Sequence, residues 1–141
     1  MQNILLFMQN HMALSAALVA ISLLLIILEF IKLRRGTQQL TPAEAVQLFN
    51  HQNAAIIDLR SSDLFSSGHI VDSVSIPLSD LTKQPQKADK FKSRPIVLVC
   101  ATGQESQRAA TILNAQGLNA QILAGGIQAW RTADMPLIKG R

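Results

Sequence analysis

The sequence predicts an α/β domain with a parallel sheet covered by helices on both faces, giving three α/β/α layers, with one membrane-spanning helix ahead of it. Three observations carry this. Seventeen consecutive residues, Met12 to Leu28 (MALSAALVAISLLLIIL), hold no charge. Short apolar runs such as AAIIDL (54–59) and IVLVC (96–100) have the length of strands rather than helices. Between these runs lie stretches with helical spacing, and strands alternating with helices imply a parallel sheet.

Composition narrows the class. Of 141 residues, 48% are hydrophobic and 16% charged; the charged share falls below the roughly 25% of an ordinary soluble domain. A disordered chain or a coiled coil is excluded. One cysteine excludes an intrachain disulfide and a CxxC metal or redox motif. His11, His51 and His69 are too scattered to suggest a metal site. Aromatics are 4% with no Tyr, which argues against nucleic-acid binding.

The uncharged run is about 26 Å long as a helix and, with its flanks, reaches the ~30 Å hydrocarbon core. Asn10 and His11 suit one interface, Glu29 and Lys32 the other. A cleavable signal peptide would carry its positive charge before the apolar core and small residues after it. Here Lys32, Arg34 and Arg35 follow it instead. Positive flanks stay in the cytoplasm, so the expected placement is a single membrane pass with the domain on the cytoplasmic side. The expected organisation is an anchor over 1–35 (helix about 10–31), a linker over 36–39 and a domain over 40–141. Beyond Arg35 the chain holds ten Lys/Arg against eight Asp/Glu, so the domain is nearly balanced.

Thr41, Pro42 and Glu44 form a helix start, with a capping residue, a proline at the first position and a capping-box acid. Ala45, Val46, Leu48 and Phe49 supply its apolar face. Ala54–Leu59 reads as a buried parallel strand. Ser62–Ser67 is a short helical turn stopped by Gly68, and Val74–Ile76 is a strand broken by Pro77. Leu81–Pro95 is polar and basic; it reads as a solvated stretch, with contact to anionic lipid headgroups the alternative. Ile96–Cys100 is the strongest strand. A helix follows over about 106–116, then a strand at Ala120–Leu123. Gly125-Gly126 opens a last helix with Ile127, Ala129 and Trp130.

The candidate chemistry lies in Cys100 to Ser106, CATGQES. Cys100 ends a central strand, where open parallel sheets place ligands. The turn leads into a helix N-terminus, whose N–H groups receive anions and favour thiolate over thiol. Gly103 permits the backbone angles such a turn needs. A buried strand-end cysteine without chemistry is the plain alternative.

Three separated stretches add a resemblance. DLRSSDLFSSGHIVDSVSIP (58–77), VLVCATGQES (97–106) and GGIQAW (125–130) are, in order and spacing, similar to the motifs of a single rhodanese domain over Leu40–Trp130. The whole arrangement resembles membrane-anchored single-domain members of bacteria. The resemblance implies a sulfurtransferase in which Cys100 attacks the sulfane sulfur of thiosulfate or a persulfide. The resulting persulfide would be cradled by Ala101, Thr102, Gly103, Gln104, Glu105 and Ser106, with Arg60 a nearby substrate-binding candidate. A thiol or other thiophilic acceptor then takes the sulfur, with no metal or organic cofactor. The lipid bilayer is the expected partner of the N-terminal helix, with a membrane protein a further one.

Many loops of this family carry Arg where Glu105 stands. A unit charge about 6 Å away contributes about 1–3 kcal/mol at an effective dielectric of ~20–40, so reversing its sign opposes anionic donors. Arg108, one turn on, could pair with Glu105. Cys-based phosphatases with similar loops need an Arg at position 106, which is Ser106. Arg60 could equally form a structural ion pair, and His69 reads as structural. The competing function is a tethered binding module that keeps the fold without catalysis.

Overall fold

The computed structural model describes Phe7, residues 10–34 and residues 36–140, and it divides into two compact units, 1–36 and 37–141. The first contains helix α1, Met12–Arg34. Over Met12–Ile31 its mean hydropathy is 2.7 and none of it is buried, so it is long and apolar enough to cross a membrane. Leu14, Leu18, Ile21, Leu25 and Leu28 are all exposed, and apolar residues face every direction. The expected cationic flank of Lys32, Arg34 and Arg35 lies outside the described side chains.

The second unit follows the order β1 (Gln39–Leu40), α2 (Pro42–Gln52), β2 (Ala55–Asp58), α3 (Ser62–Ser67), β3 (Ser73–Ser75), α4 (Leu78–Lys83), a 3-10 helix (Pro85–Phe91), β4 (Ile96–Val99), α5 (Gln104–Ala115), β5 (Ala120–Leu123) and α6 (Gly126–Thr132). Among the described residues the sheet has five strands in the order β1-β5-β4-β2-β3, every pair parallel. Successive strand residues face opposite sides. Ile57, Ile96, Leu98, Cys100, Ala120 and Ile122 therefore pack on one face with Leu81, Phe91, Ala109 and Leu113. Ile56, Val97, Val99 and Leu123 pack on the other with Ala45, Ile127 and Trp130. Phe49 of α2 meets Trp130 of α6 at 6.3 Å between ring centres, closing that second layer.

Two expectations need correction. The segment read as a linker ends in β1, where Gln39 and Leu40 pair with Ile122 and Leu123 at the sheet edge. The polar stretch 81–95 is largely helical. Leu81, Ala88 and Phe91 are buried beneath its lysines, so the charges cover a helical layer rather than a free loop. Two of those lysines are paired, Lys87 with Asp80 and Lys92 with Asp89.

The start of α2 forms as its sequence predicts. The Glu44 carboxylate accepts from the Thr41 N–H at 2.7 Å and its hydroxyl at 2.8 Å, and the Glu44 N–H donates to the Thr41 hydroxyl. These bonds, led by that from the Thr41 backbone, hold the Glu44 pKa below its ordinary value. Thr41→Ala should cost about 1 kcal/mol, read from the unfolding midpoint reported by the lone Trp130. Because the folded pKa is depressed, the Glu44 contribution is complete above the unfolded carboxylate range and is lost as pH falls through the folded value. The gap between wild type and Glu44→Gln should therefore close in acid.

Candidate active site

Cys100 follows β4 directly, at the C-terminal edge of the central strand, and is 1% exposed. The Gly103 N–H donates to its Sγ at 2.9 Å. That bond needs the chain to reverse within three residues, and Gly103 does so at φ 98°, a left-handed angle costly for other residues. α5 starts at the next residue. The thiol sulfur thus lies at the N-terminus of a 12-residue helix, where free N–H groups favour negative charge.

The loop is pinned from behind by α6. Ile127 N–H donates to the Cys100 carbonyl at 2.8 Å and Gln128 N–H to that of Ala101 at 3.3 Å. Gly126, at φ 60°, lets the two backbones meet: a Cβ there would overlap the Cys100 carbonyl oxygen and come within 2.8 Å of the Ala101 carbonyl. A Cβ on Gly103 would sit 3.2 Å from the Gly125 nitrogen. The sequence marks 125–126 as a helix start and as the opening of the GGIQAW stretch, not as a contact of the Cys100 loop; a Gly-Gly pair ahead of a helix is the signal that such an approach leaves.

The other site candidates divide. Ala101, Thr102, Gln104 and Glu105 are exposed around the loop, and Gly103 is half-buried. Ser106 is fully buried, on the face of α5 that carries Ala109, Ala110 and Leu113, and its hydroxyl has no partner among the described residues. The loop runs between two depressions. One, about 410 Å³, is bordered by Gln39, Thr102, Gln104 and Gln107. The other, about 640 Å³, is bordered by Leu59, Leu64, Pro77 and Leu78, with Glu105, Lys83 and Arg108 also lining it.

Arg60 borders the larger groove, but its guanidinium is engaged. It binds both carboxylate oxygens of Asp58, the shorter contact at 2.7 Å, and donates to the Gly68 carbonyl at 2.7 Å. Both side chains are buried, 4% and 1% exposed. The structural ion pair is the arrangement present. Glu105 and Arg108 form no ion pair with each other or with any other described residue, so the compensation considered for Glu105 is absent. His69 is buried, its ring stacked on Phe65 at 3.8 Å while Nδ1–H donates to the Phe65 carbonyl. Its backbone bonds reciprocally with Ile138, in the segment after α6. His69 therefore holds α3 to the C-terminal segment.

Residues 41–133 match the rhodanese-like domain family. The chain belongs to it. This rhodanese-like chain is 29% identical to the uncharacterised protein YibN of Escherichia coli K12 over the full length of both. It is 37% identical to the thiosulfate sulfurtransferase GlpE of Pseudomonas syringae pv. syringae over 92 residues, covering 64% of this chain and 85% of that one. Among solved structures, a rhodanese-related protein of Thermoplasma volcanium superposes with a TM-score of 0.65 at 25% identity, over 72% of this chain and 97% of that one. The family sets the rhodanese-like fold, and the motifs that suggested it meet in space. The Leu59 N–H of the first motif donates to the Val99 carbonyl of the second at 2.7 Å, and Gly126 of the last lies against Cys100 of the second.

Proposed function

We propose that this chain is a membrane-anchored sulfurtransferase that carries sulfane sulfur as a persulfide on Cys100. The observation that carries the reading is the Gly103 N–H directed at Cys100 Sγ within a loop closed onto a helix N-terminus. Such a site stabilises negative charge on sulfur before and after transfer. The Cys100 thiolate attacks the outer sulfur of thiosulfate. A bond forms between Sγ and that sulfur, the bond to the sulfonate sulfur breaks, and its electron pair leaves with sulfite. An acceptor thiolate then attacks the outer sulfur of the Cys100 persulfide and regenerates the Cys100 thiolate. This is double displacement through a covalent intermediate. The loop N–H groups from Ala101 to Ser106 are the donors for the persulfide.

The test uses the full chain in nonionic detergent. After exposure to a sulfane-sulfur donor, intact-mass measurement should show one added sulfur, removed by thiol and absent from Cys100→Ser. No gain with thiosulfate or with any of several organic persulfides would end the enzymatic reading in favour of a binding module.

The bilayer is the proposed partner of α1, supported by its length and its high mean hydropathy. Lys32, Arg34 and Arg35 support placing the domain on the cytoplasmic side of a bacterial inner membrane. Protease added outside intact cells should leave the domain uncut until the membrane is opened; cleavage in intact cells would reverse the orientation.

A further inference from the structure

A third cavity lies at the other end of the sheet from Cys100. It opens beside Ala55, the first residue of β2, which pairs with Ile96 at the start of β4, whereas Cys100 follows the end of β4. Its volume is about 560 Å³, within the roughly 300–1,000 Å³ range of small-molecule sites. Val46 and Phe49 of α2, Ile70 ahead of β3, Phe91 of the 3-10 helix, Trp130 of α6 and Met135 beyond it give apolar walls. Three aromatic rings from three separate elements thus face one space. None of the lining residues belongs to the Cys100 loop.

Two charges line this cavity, Arg94 and Asp72, and they are not equivalent. Arg94 is half-buried, its guanidinium 5.2 Å from the centre of the Phe91 ring. It has no ion-pair partner among the described residues. Its one side-chain hydrogen bond there, from Nη1 to the Asn53 carbonyl, is stretched to 3.5 Å, where such a bond is weak. Lys90 lies over the same ring at 5.0 Å and adds positive potential. Asp72 is exposed on the turn before β3, where water screens its charge. The wall therefore presents a fixed, unpaired guanidinium beside apolar and aromatic surface. We infer that this cavity binds a small aromatic monocarboxylate, its body among Phe49, Phe91 and Trp130 and its carboxylate on Arg94. The planar guanidinium suits both oxygens of a carboxylate. The inference is independent of the sulfurtransferase reading, because no bond in the ligand is made or broken.

The test titrates the full chain, held in phosphatidylcholine nanodiscs with a tryptophan-free scaffold so that no detergent fills the cavity. The probes are 4-phenylbutyrate, 4-phenylbutanol and 4-phenylbutylamine, which share a body and differ in charge. The readout is the emission of Trp130, the chain's one tryptophan and part of the cavity wall. Emission should change saturably with 4-phenylbutyrate, and its Kd should be about tenfold below that of the alcohol, the size of one charged hydrogen-bonded contact. The amine should bind weakest. The melting temperature should rise with 4-phenylbutyrate concentration, as mass action requires. Arg94→Gln should abolish the preference for the carboxylate and leave the alcohol's Kd unchanged, which also shows that the variant is folded. Asp72→Asn should tighten the carboxylate by about twofold, the effect of one exposed like charge. An alcohol or amine that binds as well as the carboxylate in wild type would overturn the inference, as would a preference that survives Arg94→Gln. So would the absence of both a saturable emission change and a melting shift at millimolar probe.

Discussion

Gly126→Ala should destabilise the domain by about 3 kcal/mol or more and open the Cys100 loop. Two costs combine. The residue holds φ 60°, where an L side chain costs about 1–2 kcal/mol. The added methyl overlaps the Cys100 carbonyl oxygen, which is backbone and cannot rotate away as a side chain would. Overpacking in a closed region adds about 1–3 kcal/mol. For a domain of this size, that loss lowers the melting temperature by more than about 10 °C. The readout is built in, since the protein's one tryptophan, Trp130, is buried in α6 itself. Alkylation of Cys100, 1% exposed in the wild type, should accelerate in the variant below its melting transition. A variant with wild-type melting and wild-type alkylation would show that α6 does not hold the loop.

The second large effect concerns Asp58 and Arg60. Arg60→Met removes the guanidinium donors to the buried Asp58 carboxylate, leaving it only the backbone N–H of residue 60, and leaves the Gly68 carbonyl without the guanidinium. Removing one partner of a buried pair costs about 3–5 kcal/mol, whereas replacing both with apolar residues of similar volume is often near neutral. The double variant Asp58→Leu/Arg60→Met should therefore recover most of the stability lost by the single one. The pair of variants also separates two roles. If the double variant folds and still loads sulfur on Cys100, Arg60 is structural; if it folds and cannot load, Arg60 belongs to the substrate site. Arg60→Met within about 1 kcal/mol of wild type would refute the ion-pair account.

These residues also show what was legible beforehand. The capping box at Thr41–Glu44, the β4 run and the short α3 turn could be read because each depends on neighbours within four residues. The partnership of Arg60 was nearly readable: Asp58 lies two positions upstream at a strand end, and residues at that spacing share a side. The helical layer over 78–91 was hidden because its lysines dominate the composition. Its apolar residues, Leu78, Leu81, Ala88 and Phe91, are spaced for packing. β1 has two residues, too few for any periodicity, and exists because β5 offers an edge. At the candidate site the cysteine and its turn were visible. The contact between Gly126 and the Cys100 backbone was not, because it joins two segments more than twenty residues apart and involves no side chain.

The two carbonyls that α6 captures have an electrical consequence. In a trans peptide unit the C=O and the following N–H point in opposite directions. Fixing the Cys100 and Ala101 carbonyls toward α6 therefore turns the N–H groups of Ala101 and Thr102 away from it. The loop behaves as a polarised plate whose orientation is set by a separate stretch of chain. CATGQES is accordingly not a portable cassette. Transplanted to another parallel sheet without the Gly-Gly helix behind it, its peptide units would be free to rotate. The cysteine would then lose the environment that its own sequence was expected to provide.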